Sequence, residues 1–458
     1  MPIPTSPTSF RRQPDRHRIG VVAVMVLATA ALLAGCNGSK SKKIVLEGER
    51  RPIVELSEQL TPDPALHDVE VRLPAPYLNP DWPQAGGYAN HAMEHLQLAP
   101  SPRIIWRAKV GSASRNRPLT AQPIVVNGVV YAMGSGWGVT AFDADTGRKL
   151  WTTDIRADKG EREKEDSAAG GGISYHDGKL FVAVGTGVAA ALDPRTGSEL
   201  WHTKFDVALR GAPTAGDGFV FYTTHDDQLY AVNPDNGSVV WQHVAIAEQA
   251  GMVGSASPAV IGGTVVAAFA SGELFALQAS NGRVAWADSL TRVGRMTALS
   301  TLNDIDGDPV VDRGEVFAVG HSGRMAAIDL KTGTRLWENN IPSAQTIWVA
   351  GDYLYVITAD NQLVCVTRQN GHAKWLTDLQ RYKGNNKKKR LIIWTGPVLA
   401  GDRLLVVNNA GMLAAFSPYT GEFLGGVEIP SKRNFISPVV ANGTLYLMGD
   451  DGELIAMR

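Results

Sequence analysis

The sequence predicts an all-β fold, an eight-bladed β-propeller of four-stranded antiparallel blades whose last blade is closed by an N-terminal strand. Three observations carry this reading. First, the phrase AFDADTGRKLW at 141 returns as ALDPRTGSELW at 191, AVNPDNGSVVW at 231, ALQASNGRVAW at 276, AIDLKTGTRLW at 327, CVTRQNGHAKW at 365 and AFSPYTGEFLG at 415. Second, its glycines fall at 147, 197, 237, 282, 333, 371 and 421, a period near 45 residues that lies in the propeller range. Third, GELIAMR at the C-terminal end begins another copy and breaks off, while PRIIWRAKV at 102–110 supplies its missing end, with Trp106 one period before Trp151.

Each phrase reads as a β-hairpin. Alternating apolar residues mark one strand, Asp or Asn with Thr-Gly marks a tight turn in which Gly takes a positive φ, and a second strand ends on Trp. Upstream of it lies another pair of short runs, as in PIVVNGVVYAM at 123–133 and PVVANGTLYLM at 438–448, so one period holds four strands. A four-stranded blade cannot bury both faces alone. Blades must stack, and a ring removes the two end faces that an open stack leaves exposed.

Trp106, Trp151, Trp201, Trp241, Trp286, Trp337 and Trp375 share one place per blade and are expected to dock against the neighbouring blade, ring in the gap and N–H on a carbonyl. The recurrent Ala and Gly leave room for the ring. Gly425 replaces Trp in the copy at 415, which makes that inter-blade contact the weakest, and Cys365 replaces Ala at a crowded position, as a small buried thiol. Asp143, Asp193, Asp329 and Asn233 recur with the turn and read as turn formers.

Composition excludes some function classes. The 458 residues carry a formal charge of -1 and are 44% hydrophobic, with none of the basic excess that nucleic-acid binding needs. The N-terminus is an export signal: Arg11, Arg12, Arg16, His17 and Arg18 precede an uncharged run from Ile19 to Ala34, too short for a membrane span. Its end, Leu33-Ala34-Gly35-Cys36, resembles the bacterial lipobox, which implies acylation of Cys36 and, with Asn37 following, sorting to the outer membrane. Only Cys36 and Cys365 are present, so an acylated Cys36 leaves no disulfide within one chain.

The expected domains are a lipoprotein signal peptide at 1–35, a tether and N-terminal strap at 36–100, and the propeller at 101–458. Within the strap, DWPQAGGYANHAMEHL at 81–96 carries a Gly pair and His91 and His95 at i, i+4. That spacing suits a metal chelate, but no third ligand is placed by the sequence, so a strap lying on the propeller is the reading and no metal is expected. The charge-rich loops at 158–166 and 383–390 read as solvated.

The repeated Ala-x-Asp-x-x-Thr-Gly-x-x-x-Trp phrase resembles the tryptophan-docking motif of quinoprotein-type eight-bladed propellers over residues 103–458. That resemblance implies two functions. A dehydrogenase dependent on pyrroloquinoline quinone (PQQ) and calcium is the alternative; it often has adjacent cysteines or a CxxCH haem site, and this chain has neither, so no cofactor and no catalytic residue are expected. The favoured reading rests on VALRGAPT at 207–214 and LNDIDGDPVV at 302–311, which resemble the Leu-x-Leu-Arg-Gly and Asp-x-Asp loops of the BamB family, lipoprotein propellers of the outer-membrane β-barrel assembly machinery. Leu209, Arg210 and Gly211 match the first element, with Val207 where it has its first Leu; Asp304 and Asp306 match the second.

In that family these elements contact a POTRA domain of the barrel subunit, BamA. The resemblance implies a non-enzymatic scaffold facing the periplasm, anchored to outer-membrane lipid through Cys36, with Leu209, Arg210, Asp304 and Asp306 binding the POTRA domain and nascent outer-membrane proteins as clients. Both loops join the outer strand of one blade to the inner strand of the next, a connection that emerges on one face of a propeller, and Arg210 is expected to pair there with a partner carboxylate.

Overall fold

A computed structural model describes residues 60–111, 121–155, 170–246, 256–291, 304–384, 390–429 and 436–458. Cys36, the signal segment, the tether as far as residue 59 and most of both charge-rich loops lie outside the described residues. Among those described are eight four-stranded antiparallel sheets, each pairing its strands in chain order. Blade one is Ile124–Val126, Val129–Met133, Gly138–Asp143 and Lys149–Asp154. Blades two to seven follow at 171–204, 214–244, 259–289, 310–339, 348–378 and 394–428. Blade eight takes its inner three strands from Val439–Ala441, Thr444–Met448 and Glu453–Met457, and its outermost strand is Ile104–Lys109. The ring is closed within a sheet, as the split eighth phrase predicts.

The repeated phrase works through its register. Across each outer hairpin the first Ala stands opposite the Trp: Ala141 with Trp151, Ala191 with Trp201, Ala231 with Trp241, Ala276 with Trp286, Ala327 with Trp337 and Ala456 with Trp106. Cys365 takes that place opposite Trp375 and is fully buried, which pushes its thiol pKa far up and leaves it unreactive at neutral pH.

Each indole leans onto the next blade and donates to a carbonyl of that blade's phrase turn. The bonds are Trp106 to Ala144 (2.9 Å), Trp151 to Pro194 (3.0 Å), Trp201 to Pro234 (3.0 Å), Trp241 to Ala279 (2.9 Å), Trp286 to Leu330 (2.7 Å), Trp337 to Arg368 (2.7 Å) and Trp375 to Pro418 (3.1 Å). The ring lies flat on the turn glycine. A Cβ at Gly333 would fall 2.6 Å from Trp286, and one at Gly197 2.5 Å from Trp151. Those glycines also sit at φ +72° and +73°, so the position excludes a side chain on two grounds. A second bond flanks several joints, as where the Thr153 and Thr203 hydroxyls donate to the carbonyls of Gly197 and Gly237, both at 2.6 Å.

One joint lacks its indole. Gly425 stands opposite Ala415 where a Trp belongs, and a Cβ there would meet nothing within 4 Å. The neighbour across this joint is blade eight, whose two outer strands, Ile104–Lys109 and Glu453–Met457, are far apart in the chain and are not joined by a phrase turn that could receive a ring.

The strap closes the other end of the barrel-like axis. Between Asn79 and Leu96 it touches the innermost strand, or the turn after it, of every blade in ring order. Asn79 bonds Val440 and Asn442 of blade eight, Trp82 pairs with Val125 of blade one, and Pro83 accepts from Tyr175 of blade two. Gln84 exchanges two 2.8 Å bonds with the backbone of Ala215 of blade three, and Ala89 accepts from Val260 of blade four. Asn90 bonds Val311 of blade five, Glu94 accepts from Trp348 and Gly351 of blade six, and Leu96 bonds Leu399 and Gly401 of blade seven. This is why Asn79 and Gln84 are buried despite their polarity. The Gly pair permits the bend, since a Cβ on Gly87 would lie 2.2 Å from the Met93 sulfur.

Docking energy should be measurable one joint at a time. Trp286→Ala is expected to cost about 3–5 kcal/mol on the usual large-to-small scale. Gly333→Ala, which leaves the indole intact but forbids its seat, should destabilise in the same direction. Chemical denaturation of both variants checks this, and a Gly333→Ala midpoint equal to the parent's contradicts the docking account.

Candidate partner-binding face and central funnel

The phrase turns and the strap occupy one face of the ring, and the connections between blades occupy the other. On that second face the connection from blade two to blade three carries Leu209 and Arg210. Leu209 is fully buried between the two blades with Phe181, Phe205 and Tyr222. Its backbone bridges Thr224, and Arg210 N–H donates to Thr223 at 2.9 Å, so the loop is held as an extra strand-like stretch against blade three.

That anchoring turns the Arg210 side chain toward the ring axis. Its Nη2 lies 2.5 Å from Asp304 Oδ2 and 3.6 Å from Asp306 Oδ1, and its Nη1 lies 3.7 Å from Asp227 Oδ1. The structure therefore brings Arg210, Asp304 and Asp306 together from two connections separated by two blades. It does so inward: the side chains of Arg210, Asp304 and Asp306 are 3%, 1% and 8% exposed. The expectation that Arg210 offers its donors to a partner carboxylate is corrected here. A guanidinium this deeply buried needs charge partners within the chain, and the fold supplies them.

Asp227 and Asp308 are parts of this site that sequence reasoning missed. Asp227 lies in the turn between the second and third strands of blade three, and it accepts from Ala270 N–H of blade four at 2.9 Å. Asp308 accepts from Ser257 N–H at 2.6 Å and from the Thr346 hydroxyl at 3.3 Å, tying the connections before blades four, five and six. Burial raises its carboxyl pKa. The only signal in the sequence was Asp-Asp at 226–227 and a third Asp in DIDGD, each equally at home in a turn.

Asp306 is the electrostatically strained member. Burial, and next the Asp304 charge, lift its pKa to about 7 against the ordinary 3.8, with Arg210 opposing. Neither of its oxygens has a hydrogen-bond partner among the described residues.

The axis encloses a cavity of about 380 Å³ between the strap and these connections, lined by Trp82, Gly86 and His91 from the strap and by Arg210, Asp306 and Asp308 from the connections. His91 and His95 do not converge on an ion: His91 Nδ1 bonds the Pro309 carbonyl and His95 Nδ1 that of Pro74, both at 2.8 Å. Among the described residues no group of three or more His, Cys, Asp or Glu is arranged to hold a metal.

The comparisons with known proteins decide between the two functions. A family model described as outer membrane protein assembly factor BamB matches residues 99–161 and 138–377. The chain belongs to the BamB family. It is 25% identical to the outer membrane protein assembly factor BamB of Shewanella oneidensis over 362 residues, 78% of this chain and 89% of that one. The crystal structure of BamB from Moraxella catarrhalis superposes with a TM-score of 0.65 at 19% identity, covering 78% of this chain and 100% of that one. The quinohemoprotein alcohol dehydrogenase of Comamonas testosteroni also superposes, with a TM-score of 0.62 at 15% identity over 82% of this chain and 80% of that one, a likeness of fold alone. BamB proteins are non-enzymatic assembly factors, so the dehydrogenase alternative is set aside.

The Asp306 environment predicts a pH dependence. Between about 4 and 7 the folded chain holds a proton on Asp306 that the unfolded chain has released, so this group makes stability fall as pH rises through that window. The shift is worth at most about 4 kcal/mol once the carboxyl is ionised. Asp306→Asn should melt at a higher temperature than the parent at pH 8 and at nearly the same temperature at pH 4. A parent-like melting temperature at pH 8 contradicts it.

Proposed function

We propose that the chain is a lipid-anchored scaffold of the outer-membrane β-barrel assembly machinery. It is held to the outer membrane by acylated Cys36, faces the periplasm, binds a POTRA domain of a BamA-type barrel subunit, and aids folding and insertion of nascent β-barrel proteins. In this reading residues 1–35 are the signal peptide, 36–100 the tether and strap, and 101–458 the propeller. Family membership supports the assembly role. The observation that carries the partner site is the Arg210–Asp304 pair, which locks the two family-like loops together on one face. Arg210, Asp304 and Asp306 then act as positioning residues: they fix the loops, and the exposed Asp206 and half-exposed Val207 and Ala208 beside them meet the partner.

Copurification of the barrel subunit from solubilised envelope, beside a melting curve for each variant, tests this. Arg210→Glu places a further carboxylate among three, splays the loops and should abolish copurification. Ala208→Arg leaves the buried cluster intact and should weaken binding by about 2 kcal/mol or more, as expected for an interface anchor. Cys36→Ala should move the protein from the membrane fraction to the soluble periplasm, since stable attachment needs the acyl chains. Full-strength copurification by both loop variants with parent-like melting would place the partner elsewhere.

A further inference from the structure

The connection between blades six and seven departs in composition from the rest of the chain. Its residues 379–393, LQRYKGNNKKKRLII, hold six Lys or Arg and no Asp or Glu, in a chain whose 44 basic and 45 acidic residues nearly balance. The described stems form a hairpin: Tyr382 bridges Leu391, Lys383 N–H donates to the Arg390 carbonyl at 3.0 Å, and Ile392 N–H donates to that of Arg381 at 2.8 Å. Both neighbouring blades hold it. Asn361 of blade six donates to the Ile392 carbonyl at 3.0 Å, Asn409 of blade seven accepts from Ile393 N–H at 3.1 Å, and Trp394 donates to the Gln380 carbonyl at 2.9 Å. Leu379, Ile392 and Trp394 are buried beneath these bonds. Strand alternation then turns Leu391 and Ile393 outward, 58% and 48% exposed, with Tyr382 at 38%. Beside them Lys383 and Arg390 are exposed, form no ion pair among the described residues, and line a cavity of about 310 Å³ with Leu391, Ile392, Asn409 and Ala410. Of the nearby carboxylates, Asp360 is engaged by Arg381, and Glu428 lines the adjoining groove.

We propose that this hairpin is a membrane-contact site: Lys383 and Arg390 bind the phosphate headgroups of anionic phospholipids while Leu391, Ile393 and Tyr382 enter the headgroup layer. The pairing of features selects a bilayer. A loop that is only solvated has no use for two aliphatic side chains held outward by bonded stems. An acidic protein satisfies the cations, but a fluid anionic surface satisfies cations and apolar side chains together without a shaped counterpart, and tyrosine is at home at that boundary. Lys387, Lys388 and Lys389 lie outside the described residues and add charge of the same sign. Near an anionic leaflet each cation strengthens attachment by about fivefold. The inference goes beyond the acyl anchor, which holds a tethered chain near a bilayer without orienting it. Its cellular setting rests on the scaffold reading; the contact itself does not. A second contact, on the ring, sets the orientation, and residues 206–208 lie between blades two and three, on the opposite side of the eight-bladed ring and clear of the lipid.

Flotation of the purified Cys36→Ala chain with lipid vesicles tests the contact, since in that background no acyl chain contributes, whether or not Cys36 is acylated in the cell. Vesicles of phosphatidylcholine with one-third phosphatidylglycerol should bind the chain at low salt and release it at high salt, and vesicles of phosphatidylcholine alone should bind it far more weakly. Lys383→Ala with Arg390→Ala should weaken binding to the anionic vesicles about tenfold or more, and Leu391→Ser with Ile393→Ser should weaken it severalfold. Arg148→Ala with Lys149→Ala, which removes two exposed cations from the blade-one phrase, should bind as the parent does. All four hairpin side chains are exposed, so the variants should melt with the parent. Absence of binding to anionic vesicles, equal binding of both vesicle types, or parent-like binding by either hairpin variant overturns the proposal. Saturable binding of poly-glutamate without binding of anionic vesicles overturns it in favour of an acidic protein. High salt also separates this contact from the acyl anchor in native membranes, because salt releases the one and not the other.

Discussion

The seat of an indole on a glycine of the next blade is the interaction on which the ring depends. It explains why three separated positions of one phrase are matched in size. The Trp requires a small residue opposite it across the hairpin, a bare Cα beneath it, and a carbonyl in a fixed turn to receive its N–H. The turn itself depends on its first side chain: Asp143 and Asp329 accept from the Thr146 and Thr332 hydroxyls and then from the same residues' N–H groups, Asp193 accepts from Arg195 N–H, and these bonds hold the three carboxyl pKa values low. Local turn chemistry and long-range packing are thus satisfied by the same residues, the consistency across levels that a repeat protein needs at every joint.

The joint between blades seven and eight is the one where a part of this seat is missing. Blade eight is assembled from strands at both ends of the propeller, so no turn joins Ile104–Lys109 to Glu453–Met457. With no turn there is no seat for an indole, and Gly425 stands where the Trp belongs. Ring closure therefore rests on hydrogen bonds between Ile104–Lys109 and Glu453–Met457, and on the strap, which ties all eight innermost strands around the axis. A second, central tie compensates for a joint that the repeat itself cannot make.

The strap also decides which way the molecule faces. It bonds the innermost strands on the side of the turns, and the described inter-blade connections that carry Arg210 and Asp304 lie on the other side. There the chain carries its least comfortable arrangement: a buried guanidinium between carboxylates, one of them lifted to about 7. Buried ion pairs are poor sources of stability because desolvation offsets their attraction, and they are better at fixing one arrangement of neighbouring segments. Here they fix connections that the repeat leaves irregular, on the face where a non-repeating surface is of use.

The sequence by itself determined the ring. Its phrase, its period and the split copy at the two ends specify blade number, strand order and closure, because each blade is built from local hairpins and meets its neighbour through residues of the same phrase. The special place of Leu209, Arg210, Asp304 and Asp306 was also legible, though only as a match to family loops. Their direction was not. Whether Arg210 points to solvent or to the axis depends on Leu209 filling the gap between blades two and three and on carboxylates that lie 17 and 94 residues further along the chain, Asp227 and Asp304. No periodicity records such distances, since they arise only when blades close into a circle. The same holds for the strap: the sequence places 81–96 on the propeller, but which blade each of its residues bonds is decided only where the eight inner strands converge. What repeats was written in the chain; what happens at the axis, where all the blades meet, only the tertiary structure decided.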